Sequence, residues 1–208
     1  MARWYTSDHH FGHRNIIGYC DRPFADVDEM NDAMVERWNE LVADDDEVRV
    51  IGDIALGDLR VCLAEHVAQL RGRKILVPGN HDRCWAGRDN HQASRSDYLE
   101  LGGFERIVDA PKPIRIGRKK VRISHFPYLL DETYDLKYLD HRPRDDGSWL
   151  LHGHIHEKWR QRGRQINVGV DAWDFAPVSE DTIAELIAEG PADREPLPAR
   201  TPSQSRHR

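Results

Sequence analysis

Short runs of β-forming residues recur along this chain, and each stops at a glycine or a cluster of polar residues. The first covers residues 3–6 and ends in Ser7-Asp8-His9-His10. The second covers 47–51 and ends in Gly52-Asp53. The third covers 74–77 and ends in Pro78-Gly79-Asn80-His81-Asp82. Between them Val27, Met30, Met34, Trp38 and Leu41 fall at helical spacing, as do Leu59, Cys62, Leu63, His66, Val67 and Leu70. Strand and helix alternating at these lengths predict βαβ units and a largely parallel sheet.

The second half reads differently. Residues 113–116 and 120–124 flank Gly117-Arg118-Lys119 as a hairpin, and 149–152 and 165–168 supply two further strands. Residues 180–189 are predicted to form a last helix with Ser179 as its N-cap. Strand-rich sequence after βαβ units points to an α/β fold, a four-layer-type sandwich of two mixed sheets flanked by helices. A polar, aromatic-bearing loop is expected over 131–147.

With 208 residues the chain is long enough for one self-sufficient core, assigned to a catalytic domain over 1–189. From Gly190 the composition turns to Pro, Arg, Ser and Glu, so 190–208 is expected to be a disordered tail. Three cysteines without a CxxC pair favour a reducing compartment. Nothing resembles the apolar core of a signal peptide or a membrane span, so a cytoplasmic protein without membrane contact is expected. A net charge of −6 gives no support to a bulk grip on nucleic acid.

Sites in open α/β folds form where loops converge at the carboxyl ends of strands. The polar groups after the runs, with Ser124-His125 and Gly153-His154-Ile155-His156, would bring Asp, His and Asn to one edge. Carboxylate, imidazole and amide oxygen without thiolate suit Mn, Fe or Zn. A pair of divalent ions about 3.5–4 Å apart needs a bridging ligand, for which the two oxygens of an Asp are suited.

The ordered series DxH, GD, GNHD, a strand-end His and GHxH resembles the calcineurin-like metallophosphoesterase superfamily, in the small single-domain form of bacteria and phages. The motifs span Asp8 to His156. In place of the frequent GDxxD or GDxxG, Asp53 is followed by Ile54, Ala55, Leu56 and Gly57, and Ser124 precedes His125 where Gly is common. Neither departure removes a ligand.

The resemblance implies one ion held by Asp8, His10, Asp53 and His156. The second would be held by Asp53, Asn80, His125 and His154, with Asp53 shared. Mn2+ is the first choice for both ions, with Fe or Zn as alternatives. His81 falls where the family has a histidine that contacts the phosphate and protonates the leaving group, with Asp82 behind it as the orienting partner. The implied activity is hydrolysis of phosphate esters, with small phosphodiesters and first of all cyclic nucleotides, including 2′,3′-cyclic ones, as substrates. A phosphomonoesterase acting on nucleotides or phosphoproteins is the alternative, and a non-catalytic scaffold of the same fold is the third reading.

Other residues have plainer readings. Strand alternation turns His9 and His152 away from the ligand face, so both are read as structural. His13 and Asn15 either touch substrate or cap the segment that follows. Arg14, Arg22, Arg83, Arg142 and Arg144 are candidate phosphate clamps, of which Arg14 and Arg83, with His13, lie nearest the motifs.

Overall fold

The computed structural model describes residues 1–128 and 136–199. In chain order its strands are β1 (Arg3–Thr6), β2 (Glu47–Val50), β3 (Arg73–Leu76), β4 (Phe104–Ile107), β5 (Ile114–Ile116), β6 (Lys119–Ile123), β7 (Trp149–His152), β8 (Gln161–Gly163), β9 (Gln165–Asn167), β10 (Val178–Ser179) and β11 (Ala192–Arg194). The α-helices are α1 (Arg14–Tyr19), α2 (Val27–Leu41), α3 (Leu59–Glu65), α4 (Arg95–Glu100) and α5 (Glu180–Glu189). One sheet has the order β10-β1-β2-β3-β4 and the other β11-β8-β9-β7-β6-β5. Both are mixed. In the first, β1 to β4 are mutually parallel and β10 is antiparallel; in the second, β6, β7 and β9 run parallel.

The predicted βαβ units are present because local signals and burial agree. Asp26 caps α2 by accepting from Asp28 N and Glu29 N, and the apolar stripe of α2 buries Met30, Met34 and Trp38. Ser179 caps α5 as expected, accepting from Thr182 N at 3.1 Å. The second helical stretch is shorter than its periodicity suggested, because α3 ends at Glu65 and a 3-10 turn takes over from Val67 to Gln69.

Two cores divide the molecule. One joins α1 to α4 to the outer face of the first sheet through Ile16, Trp38, Leu63 and Tyr98. The other lies between the sheets, with Tyr5, Ile51 and Val77 facing Val121, Leu151 and Ile166. Helix α5 contributes Ile183, Leu186 and Ile187 to this inner core. The expected α/β sandwich of two mixed sheets with helices is present. Tyr128 is tied to the second sheet, its N donating to Gln165 Oε1 and its hydroxyl to Ser148 O.

The tail boundary at Gly190 is also corrected. Residues 192–194 form β11, antiparallel to β8, and Leu197 N donates to Ala172 O. Low hydrophobicity did not prevent order here, because the edge of β8 offers unpaired backbone groups that a short strand can satisfy. Residues 200–208 lie outside the described residues, as does part of the loop expected over 131–147. No described helix is long and apolar enough to cross a membrane.

Candidate metal centre

All seven candidate ligands converge where the carboxyl ends of β1, β2 and β3 meet those of β6 and β7. The loops that carry them are bent backbone. Asp8, His10, Asp53, His154 and His156 all have φ between 50° and 73°, a left-handed conformation in which each residue costs on the order of 1 kcal/mol or more. Neighbouring loops hold these bends in place. Asp8 N donates to Gly52 O, His10 N to Asp53 O and Phe11 N to Ile54 O, each at 3.0 Å. The glycines of the motifs are spacers: a Cβ at Gly79 would strike Asp53 Oδ1, and one at Gly153 would strike Ser7 Oγ and Asp8 Oδ2.

Two sets of ligand atoms lie close together. Asp8, His10 and His156 form one, Asp53, His125 and His154 the other, with the atoms of each set within 4.8 Å of one another. Asp53 joins them: its Oδ2 lies 3.7 Å from His10 Nε2 and 3.3 Å from His125 Nε2. Asn80 Oδ1 completes the second set, 3.1 Å from His125 Nε2. Asp53 Oδ1 accepts from His81 N at 2.8 Å, which orients the carboxylate.

Three features fit this cluster to cations. Both ring nitrogens of His10 are buried without a hydrogen-bond partner, a costly state that a bound ion would relieve. His125 Nδ1 donates to Ile51 O at 2.8 Å and His156 Nδ1 to Asp171 Oδ2 at 3.2 Å, so each leaves Nε2 as a lone-pair donor, the usual support for a liganding histidine. The third is electrostatic. Burial pushes the Asp8 carboxyl up and holds His10 well below the ordinary histidine range. Burial also resists ionisation of Asp53, yet the neighbouring His125, then His10 and His81, hold it far below a normal carboxylate. Against burial, Asp53 lifts His125 to about 9 and the Asp171 hydrogen bond lifts His156. The cation-free cluster thus draws protons to balance its carboxylates, a balance that divalent cations would supply directly.

The residues beside the ligands sort themselves by contact. The His81 ring stands edge-on to His10, centroids 5.3 Å apart, half-buried and without a hydrogen bond to any described residue. His13 is 5.6 Å from His10 by the same measure, and its Nδ1 is buried and unpartnered. His13 therefore faces the cluster, while the residue also stands at the N-terminus of α1 without a side-chain capping bond. His9 packs between Phe11 and Trp38, and His152 against Trp159, both in the structural roles expected.

Asp82 does not orient His81. Its buried carboxylate accepts from Asp53 N and Gly79 N at 2.8 Å and from Ile54 N at 3.2 Å, so it ties the second and third motif loops together. Burial, reinforced by Asp53, pushes Asp82 up to about 7. Arg14 and Arg83 are exposed, and no hydrogen bond, ion pair or ring contact links either guanidinium to the cluster. Arg22 is not a phosphate clamp. It is buried against Asp171 at 2.7 and 2.8 Å and donates to the carbonyls of Asp8 and His9. Arg142 is buried in a depression with Tyr128 and Gln165, and Arg144 is exposed, its carbonyl accepting from Arg122.

Asp171 and Asn167 are the supporting residues that the motifs did not reveal. Asp171 links Arg22 to His156, and Asn167 Nδ2 donates to His156 O at 2.8 Å. Asn167 ends β9 and Asp171 follows it, in Asn167-Val168-Gly169-Val170-Asp171, so their strand-end placement was the available signal. Rings of Phe126 and Tyr138 wall the His154 side, at 5.0 and 5.7 Å.

Fold and cluster together define a two-sheet α/β protein with a carboxylate–imidazole centre at its strand ends. The chain belongs to the family of the gene 66 proteins of Mycobacterium phages L5 and D29. It is 35% identical to the L5 protein over 199 residues, 88% of this chain and 93% of that one, and 37% identical to the D29 protein over 198 residues, 88% and 94% respectively. An uncharacterized protein of Methanocaldococcus jannaschii is 31% identical over 88% of this chain and 90% of its own. A crystal structure of a protein of unknown function from Aquifex aeolicus superposes with a TM-score of 0.64 at 26% identity, covering 89% of this chain and 98% of its own. No protein-family profile matches the chain.

Proposed function

We propose that this protein is a dinuclear metal-dependent phosphoesterase that hydrolyses phosphodiesters, with cyclic nucleotides, 2′,3′-cyclic ones included, as the first substrates to try. The observation that carries the reading is the position of Asp53, one carboxylate within 3.7 Å of a histidine from each of two ligand sets. Asp8, His10 and His156 would complete one ion's shell and Asn80, His125 and His154 the other's, with Mn2+ the first choice and Fe or Zn alternatives. When bound, two such ions lower the pKa of a water and offset charge on the phosphoryl oxygens.

The chain's own residues then do the rest. Arg22, Asp171 and Asn167 hold His156 and the Asp8–His10 turn in one orientation. Water attacks phosphorus in line with the leaving oxygen, and the bond to that oxygen breaks. His81 stands beside His10 at the edge of the cluster, where its protonated ring would donate to the departing oxygen; burial lowers its pKa, so the substrate phosphate would have to stabilise that proton.

The test has two parts. Protein loaded with Mn2+ is assayed on mono- and diesters, including 2′,3′- and 3′,5′-cyclic nucleotides. Turnover of monoesters alone would replace the diesterase reading with the phosphomonoesterase one, and turnover of none would sink both. His81→Ala should keep both ions while kcat falls by roughly 10²-fold on a diester with a poor leaving group, and much less on nitrophenyl esters. Equal losses on both would make His81 a phosphate-binding residue instead of an acid.

A further inference from the structure

A groove runs away from the centre on the His125 side. Its inner part, a cavity of about 270 Å3, opens beside His125 and is walled by Trp85, Phe126 and His141. The Trp85 ring stands 4.7 Å from His141 and 5.8 Å from Phe126, centroid to centroid. Val77, Pro111 and Ile123 line both this cavity and a second of about 410 Å3, so the two adjoin. The outer part lies over Ile75 and Val108, and its rim carries Arg49, Arg106 and Lys112.

The charges along it are uneven. Asp109, at the inner part, is held by Arg95 at 3.0 and 3.1 Å, and Arg49 is paired with Glu47. Arg106 and Lys112 are exposed, and neither side chain has a hydrogen bond or ion pair with any described residue. In a chain of net charge −6, two uncompensated cations beside an apolar floor mark a surface complementary to an anion.

We infer that this groove takes the flank of a single-stranded oligonucleotide whose scissile diester lies at the metal centre. The inference rests on the phosphodiesterase reading and extends it from small esters to a polymer. Aromatic rings followed by free cations match the repeat of the ligand, a base to stack and then a phosphate to neutralise. A duplex keeps its bases stacked within itself and offers the rings nothing. A small ester filling the centre alone would reach neither Arg106 nor Lys112.

The experiment measures fluorescence anisotropy of a fluorescein-labelled hexathymidylate with phosphorothioate linkages, which resist turnover, on the full chain loaded with Mn2+. The double variant Arg106→Glu/Lys112→Glu should lose at least about tenfold in affinity, and its salt slope should flatten by about 1.4, for two single-strand phosphate contacts. Trp85→Ala should lose about fivefold or more. The pair Arg118→Glu/Lys119→Glu, on the β5–β6 hairpin outside the groove, should bind like the parent, and all variants should melt like it. No binding by the parent overturns the inference, as does an equal loss in the hairpin pair or equally tight binding of a polyglutamate peptide. Turnover of bis(p-nitrophenyl) phosphate by the same preparation reports separately on the centre: present without oligonucleotide binding, it rejects the groove alone; absent, it rejects the phosphoesterase reading.

Discussion

The two sheets contribute unlike halves to the centre. From the first come Asp8, His10, Asp53 and Asn80, on loops interlocked by backbone hydrogen bonds and by the Asp82 carboxylate. From the second come only imidazoles. His125 leans on Ile51 O, His156 on Asp171, and His154 on the rings of Phe126 and Tyr138. The first half therefore carries the negative charge and the rigid geometry, and the second supplies imidazoles that approach it from across the inter-sheet core, two of them holding protons against the carboxylates in the absence of cations. Charge is concentrated where the backbone is most constrained, because a buried carboxylate is tolerated only where fixed dipoles or cations meet it.

This difference makes ordered expectations. The largest effect belongs to Asp53→Asn, which removes charge from the residue shared by both ligand sets. Metal content should fall for both ions and kcat by about 10³-fold or more, the loss of several kcal/mol of charge stabilisation. His154→Ala should cost at most one ion and leave measurable turnover. Elemental analysis showing both ions lost as completely in His154→Ala would break the distinction between the halves.

A smaller effect is expected outside the ligands. Asp171→Asn leaves the volume unchanged but weakens the hold on His156 and leaves the buried Arg22 guanidinium without its carboxylate. Affinity for one ion should drop by about 10- to 100-fold, as read by metal titration, while the other ion binds as before. Equal weakening of both would mean that Asp171 supports the Asp53–His125–His154 set as well as the set that contains His156.

The smallest effect concerns the edge of the second sheet. Ending the chain after Glu189 deletes β11 and its pairing with β8. Thermal unfolding should move down by the equivalent of about 2–3 kcal/mol, a few net hydrogen bonds, with turnover on small esters retained. An unchanged melting temperature would show that β11 adds nothing to the second half.

Much of the fold was legible locally. The helical stripe of α2, the Ser179 cap and the strands ending at Thr6, Val50 and Leu76 follow from periodicity and turn chemistry, which act over a few residues. What escaped was edge pairing. Strands β8, β10 and β11 are two or three residues long, too short for a pattern, and exist because a neighbouring strand offers its backbone.

The sequence by itself determined which chemical groups are available and that they stand at strand ends, since both are written in adjacent residues such as Gly79-Asn80-His81-Asp82 and Gly153-His154-Ile155-His156. Only the tertiary structure decided how they are used. It turned Asp82 to three backbone N–H groups instead of to His81, buried Arg22 against Asp171 at a separation of 149 residues, and ran a groove from His125 to Arg106 and Lys112. Those outcomes depend on how two sheets pack across a shared core, and packing joins residues far apart in the chain, where neither spacing nor propensity carries information.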